Sequence, residues 1–169
     1  MARCRTSYWH AFTLVEVLIV VVILGILATI VVPQFSDASQ DAVVSTLRST
    51  VTSVKRRIDY ERQTTGTDSF PAAIDATWFA STNLPTHPHN SNFGLAAVET
   101  VDSAGTMHPA TKVLKAGVAG AYWYNSAEGV FRARVADQGS SAATLTMYNQ
   151  VNDSDEAGLG NYGGGGGGS

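Results

Sequence analysis

The sequence predicts an α+β fold: a long N-terminal α-helix, transmembrane in its first half and amphipathic in its second, packed on a small antiparallel β-sheet. Three observations carry this. Residues 12–32 form an almost unbroken apolar run. Val44, Leu47, Val51, Val54 and Ile58 then recur at three- and four-residue spacings, which is the period of one helix face. Later in the chain come short segments rich in Tyr, Val and Thr, separated by Gly, Asn and Ser, which read as strands and turns.

A chain of 169 residues holds one ordinary domain plus an anchor. Hydrophobic residues make up 44%, a fraction raised by the N-terminal run; the remainder is rich in Ser, Thr, Ala, Gly and Asn. The formal net charge of −3 leaves no strongly basic surface, and no nucleic-acid partner is expected. The only cysteine is Cys4, upstream of the run, so no internal disulfide staples the chain.

As a helix, residues 12–32 would span about 31 Å, close to the ~30 Å hydrocarbon thickness of a bilayer. Apolar side chains on all sides leave no polar face for a helix lying on the membrane surface. Arg3 and Arg5 precede the run and the next cation is Arg48, which places the short N-terminus in the cytoplasm and everything after Pro33 outside it. The run is too long for a secretory signal peptide, and Pro33, Gln34 and Phe35 stand where a small-residue cleavage site would be.

Glu16 is the anomaly in this run. An ionised side chain in a transmembrane helix costs about 2.5–3.5 kcal/mol at the centre and less near an end. It lies shallow without function, or it pairs with a cation at the same depth. The run contains no Lys or Arg, but cleavage between Ala11 and Phe12 would create a free α-amino group beside it.

The stretch "AFTLVEVLIVVVILGILATIVVP" resembles the class III signal and N-terminal helix of type IV pilins and of the pseudopilins of type II secretion. The resemblance implies that the basic leader, residues 1–11, is removed by prepilin peptidase on the cytoplasmic side. The same enzyme would then N-methylate Phe12. Glu16 would be the family's assembly glutamate, and Gly25 and Pro33 its helix-weakening positions. The departure is Ala11 where the family usually has Gly; small volume is kept, and processing is expected. "AYWYNSAEGVFRARV" resembles, more weakly, the hairpin of many pseudopilin-like proteins, and "TDSFPAA" the turn after their long helix.

Pro33 should kink or open the helix. Residues 33–62 continue it as an amphipathic segment, so the whole is one helix of about 50 residues. Residues 63–157 form the globular head and 158–169 a flexible Gly-rich tail. "TTGTD" breaks the helix, and "SFPAAIDATWFAS" reads as a short helix with Ser69 as N-cap and Pro71 in its first turn. "TNLPTHPHNSN" is loop. "TKVLKAG", "GAYWYNS", "GVFRARVA" and "ATLTMYNQV" read as strands, the middle two as a hairpin across "NSAEG". Tyr122, Tyr124, Phe131 and Val135 are candidates for its buried face.

The remaining candidates are weaker. "GLGNYG" matches the letters of a dinucleotide-binding fingerprint, but the chemistry requires a helix N-terminus after the glycines to hold the pyrophosphate, and only Gly and Ser residues follow. His87, His89 and His108 lack Cys and a fixed fourth ligand, and read as loop histidines. Asn152, Asp153, Asp155 and Glu156 offer oxygen ligands suited to calcium, without EF-hand spacing. The resemblance implies such a site, since major pseudopilins bind calcium in a loop of similar position. No nucleophile–base–acid set or phosphate loop is present, and enzymatic activity is not expected.

The expectation is therefore a structural subunit of a helical filament, a type II secretion pseudopilus or a type IV pilus. It would sit in the inner membrane before assembly, with no cofactor beyond possible calcium. Its partners would be copies of itself, related minor pilins, prepilin peptidase, an inner-membrane assembly platform and membrane lipid. The missing disulfide and the acidic C-terminal loop favour the major-pseudopilin kind, and Glu16 argues against the tip subunit that lacks it. The rival is a membrane-anchored extracytoplasmic binding or sensor domain that does not polymerise.

Overall fold

The computed structural model describes the backbone of residues 12–66, 68–80 and 82–160, and their side chains except at 30–37 and 92. The leader with Ala11 and Cys4, the side chain of Pro33 and the tail from residue 161, Gly163 included, lie outside the described residues. The first element, α1, is Leu14–Thr64, 51 residues long, and its backbone is helical through position 33. The chain forms two compact units, Met1–Asp41 and Ala42–Ser169, and each has its own logic.

In the first unit the large apolar side chains between Leu14 and Leu27 are exposed, from 83% at Leu14 down to 49% at Val20. The second unit uses its part of α1 differently. Leu47, Val51, Val54 and Ile58 are buried, as their spacing predicts, and Val44 packs beside them. They join one apolar cluster with Tyr122, Tyr124, Phe131, Val135, Met147, Tyr148 and Val151.

The sheet has three strands, β1 Ala96–Val101, β2 Gly120–Asn125 and β3 Val130–Ala133, in the order β1-β2-β3. The expected hairpin is β2–β3, antiparallel, with Tyr124 opposite Phe131. The four residues expected on its buried face, Tyr122, Tyr124, Phe131 and Val135, are fully buried.

The α+β class holds, while the sheet is mixed: β1 runs parallel to β2, from Ala96 opposite Gly120 to Val101 opposite Asn125. A parallel neighbour needs a long crossover, and residues 102–119 provide it without a helix. Asn125 holds its start. The Asn125 Oδ1 accepts from the Ser103 and Ala127 amides at 3.0 and 3.2 Å, while Nδ2 donates to the Ser103 and Thr106 carbonyls at 2.6 and 2.8 Å. Gly120 is required at its end, because a Cβ there would collide with the backbone of Val98 and Glu99 in β1.

Three local expectations are corrected. Residues 143–151 are not a strand but most of α2, Ser141–Asn152. Ser140 caps it, its Oγ accepting from the Ala143 amide at 3.2 Å, and the buried Thr144, Met147, Tyr148 and Val151 follow a helical period. "TKVLKAG" contributes only isolated bridges, Val113 with Val135 and Thr111 with Gly160. The short helix capped by Ser69 is instead one 3-10 turn, Ala76–Trp78, capped by Asp75. Upstream of that turn, the Pro71 carbonyl accepts from the Tyr124 hydroxyl at 2.6 Å, which commits this backbone to the sheet.

The loop histidines divide. His87 is buried, 2% exposed, with its ring edge-on to Tyr122. Its Nδ1 accepts from the His89 amide at 3.2 Å, so Nε2 carries the proton and donates to the Arg134 carbonyl at 2.8 Å. Burial pushes its pKa down to about 4. The unfolded chain, with an ordinary pKa near ~6.5, therefore binds this proton first as pH falls. His87 thus contributes stability that is complete above about pH 6.5 and is lost towards pH 4, by up to about 1.4 kcal/mol per pH unit. Urea titrations at pH 7 and pH 5 should show wild type losing more stability than His87→Gln across that interval; equal losses would contradict the assignment.

Candidate functional site

Of the residues at which the sequence places processing and assembly, Phe12 lies just before α1 and Glu16 in its first turn. Phe12 is exposed, and Phe12 and Thr13 precede the helix. Thr13 closes the first turn: its Oγ1 accepts from the Glu16 amide at 3.2 Å, and its carbonyl accepts from the Glu16 and Val17 amides at 3.1 and 3.4 Å. Thr-Leu-Val-Glu thus has capping-box spacing, with Glu16 in the first turn, where unpaired amides carry positive partial charge. No cation pairs with the Glu16 carboxylate among the described residues.

Gly25 lies inside α1, and a Cβ added there would meet nothing within 4 Å. No contact within the described chain requires glycine, which leaves its helix-weakening effect of about 1 kcal/mol relative to alanine. Thr29 adds to that effect by turning its hydroxyl back onto the Ile26 carbonyl at 2.6 Å. The cap at Thr13 and the back-bond at Thr29 were missed in the sequence. The T-x-x-E spacing was the signal for the first.

Among the described residues no helix is long and apolar enough to cross a membrane. Positions 30–32 of the expected span are among those whose side chains lie outside the described set.

The structure gives the proposed calcium ligands separate tasks. Asn152 is fully buried, and its side chain acts as a substitute strand for β3. Its Oδ1 accepts from the Ala133 amide at 2.7 Å and its Nδ2 donates to the Ala133 and Tyr148 carbonyls at 2.9 and 3.0 Å. Asp153 caps α2 in the left-handed region, φ 52°, and its exposed carboxylate lies 3.4 Å from Arg48. Asp155 is exposed. Among the described residues no group of three or more His, Cys, Asp or Glu side chains could hold a metal ion.

Replacing Asn152 with Ala leaves a buried amide and carbonyl of Ala133 unpaired, at about 1–3 kcal/mol for each group. Asn152→Ala should therefore lower the unfolding free energy by about 3 kcal/mol in chemical denaturation, and a loss below about 1 kcal/mol would contradict the role of the side chain.

No match was found among curated proteins or among solved structures. Residues 10–32 match the family model of the prokaryotic N-terminal methylation motif. That segment contains the proposed cleavage bond, Thr13, Glu16 and Gly25, and it ends one residue before Pro33. The motif marks a structural family and implies processing by prepilin peptidase and membrane anchoring before assembly. The chain therefore carries, on the first turns of α1, the prepilin-type signal of pilins and pseudopilins.

Proposed function

We propose that this chain is a structural subunit of a helical filament, made as a single-pass membrane precursor with its leader in the cytoplasm and its C-terminal unit outside. The observation that carries this reading is the first unit of the structure. Around the Glu16 carboxylate, which has no cation among the described residues, its described apolar side chains from Leu14 to Leu27 are about half exposed or more on every side of α1. Nothing described within that unit covers them. Such a surface persists only in lipid or among similar helices. Lipid would serve the precursor and neighbouring copies the filament core. Moving between two apolar surroundings avoids exposure to water.

Cleavage between Ala11 and Phe12 would supply the missing charge. Glu16 lies in the first turn of α1, four positions after Phe12, and helical side chains lean towards the N-terminus. Glu16 can therefore reach an amine at its own Phe12 or at that of a neighbour. A pair at 4 Å has about 4 kcal/mol of Coulomb attraction at an effective permittivity of ~20. N-methylation of Phe12 keeps the amine cationic. Only processed copies would then offer the partner that Glu16 requires.

The lone Cys4 leaves with the leader, so the mature chain has no disulfide. This favours a type II secretion pseudopilus of the major-pseudopilin kind over a cysteine-closed type IV pilin. On that reading the partners are further copies, related minor pilins and an inner-membrane assembly platform.

Glu16→Ala is expected to be cleaved and inserted normally while yielding about tenfold fewer filaments or less, counted by electron microscopy of sheared material. Normal filament numbers would overturn the assembly role. Ala11→Asp should accumulate as precursor. Intact mass of the wild-type protein should correspond to residues 12–169 plus one methyl group; an uncleaved mass would leave the chain as an anchored, non-polymerising domain.

A further inference from the structure

The acidic segment after α2 has the composition of a calcium loop, yet the structure places a cation of the chain itself against it. Lys112 Nζ lies 3.1 Å from Glu156 Oε2, and the lysine side chain is only 7% exposed. The ammonium also stands 5.8 Å from the Tyr148 ring centroid. On the other carboxylate oxygen, His108 Nε2 lies 3.1 Å from Glu156 Oε1.

The burial of His108 bears on which of these two groups carries the charge. The His108 Nε2 faces an acceptor, so it bears a proton, and its Nδ1 lies 3.0 Å from the Tyr148 hydroxyl. Burial lowers the His108 pKa and raises that of Tyr148. The hydroxyl therefore donates to a neutral imidazole, and Lys112 is the counter-ion of Glu156. Arg132 adds a second buried cation close by, with its Nη1 donating to the Asn152 carbonyl at 2.7 Å.

The backbone of the segment is held as well. The Asn149 side chain accepts from the Glu156 amide at 3.1 Å and from the Ser154 hydroxyl at 3.0 Å, and it donates to the Glu156 carbonyl at 3.0 Å. Lys112 donates its amide to the Leu159 carbonyl at 3.4 Å, and Thr111 bridges to Gly160. Gly160 has φ +70°, and any side chain there would collide with the Ala110 carbonyl.

Calcium requires six to eight oxygens at about 2.3–2.6 Å. Of the side-chain oxygens of Asn152, Asp153, Asp155 and Glu156, the Asn152 amide oxygen is bonded to β3, Asp153 faces Arg48 and both Glu156 oxygens have nitrogen partners, which leaves the exposed Asp155 carboxylate. The donor set does not fit a calcium cradle.

We propose that Lys112 is the cation that orders the acidic C-terminal segment, in place of a divalent metal, so that the head folds and retains this segment without calcium. The proposal is independent of whether the chain polymerises.

The test is thermal unfolding of the full chain in detergent, followed by near-UV circular dichroism, in millimolar calcium chloride and in chelator. Wild type should melt at the same temperature in both, within about 1 °C, and Lys112→Met about 10 °C lower in both. A wild-type Tm several degrees higher in calcium than in chelator would overturn the proposal. So would Lys112→Met melting with wild type.

If Lys112→Met does not fold, the double variant Lys112→Met/Glu156→Gln removes both charges and provides the second measurement. It should recover folding and most of the lost Tm, with no response to calcium. Failure to recover any, or recovery only in calcium, would overturn the role of the ion pair.

Discussion

The structure depends on one constraint: α1 carries two apolar surfaces of different shape, and only the second has a partner within its own unit among the described residues. The narrow stripe of Leu47, Val51, Val54 and Ile58 is covered within the second unit by Tyr122, Tyr124, Phe131 and their neighbours. The broad surface from Leu14 to Leu27 has no such cover. Burial of apolar area is the main favourable term in folding and in association alike. In the second unit that term builds the head. In the first it is left for lipid or for other chains, and the methylation motif lies on that surface.

A head built around one helix stripe and a three-stranded sheet leaves many strand edges and loop amides to satisfy, and polar side chains do much of this. Asn125 takes the place of turns at the crossover, and Asn152 takes the place of a strand beside β3. Arg134 links three segments, donating to Thr111, Gly120 and the Glu99 carboxylate. Tyr122 and Tyr124 send their hydroxyls to the Thr86 and Pro71 carbonyls, so the apolar cluster also positions the long loop after α1. A buried polar group bonded on every side specifies one arrangement, because any shift leaves it unpaired. The core is small, and its precision comes from these groups as much as from packing.

Sequence reading succeeded where a period or a motif repeats over many residues and failed where tertiary context decides. The long helix, its buried stripe and the Tyr122–Phe131 hairpin were legible because spacing alone encodes them. The parallel strand β1 was not: "AAVETV" has little alternation, and its place beside β2 depends on the close approach permitted by Gly120. Helix α2 was misread because Thr and Tyr favour strands on average, whereas Met147, Tyr148 and Val151 have the helical period that its burial follows. At the N-terminus the methylation motif was legible and the capping role of Thr13 was missed. At the acidic segment composition supplies oxygens, but only the fold shows that Asn152 and Glu156 have partners.

The same distinction bears on Glu16. The capping geometry satisfies its amide locally, since Thr13 accepts from the Glu16 N–H and so helps start the helix just beyond Phe12. The cap leaves the carboxylate without a cation among the described residues, and the exposed apolar side chains around it provide none. Two physical tasks thus fall on adjacent groups of one turn. One fixes where the helix begins, two residues past the proposed cleavage bond, so that the backbone at Phe12 is not helical. The other leaves a negative charge at the apolar surface awaiting a positive one. On the proposed reading, cutting that bond produces the charge on the residue that precedes the cap. Processing and assembly are then coupled by the geometry of a single helical turn.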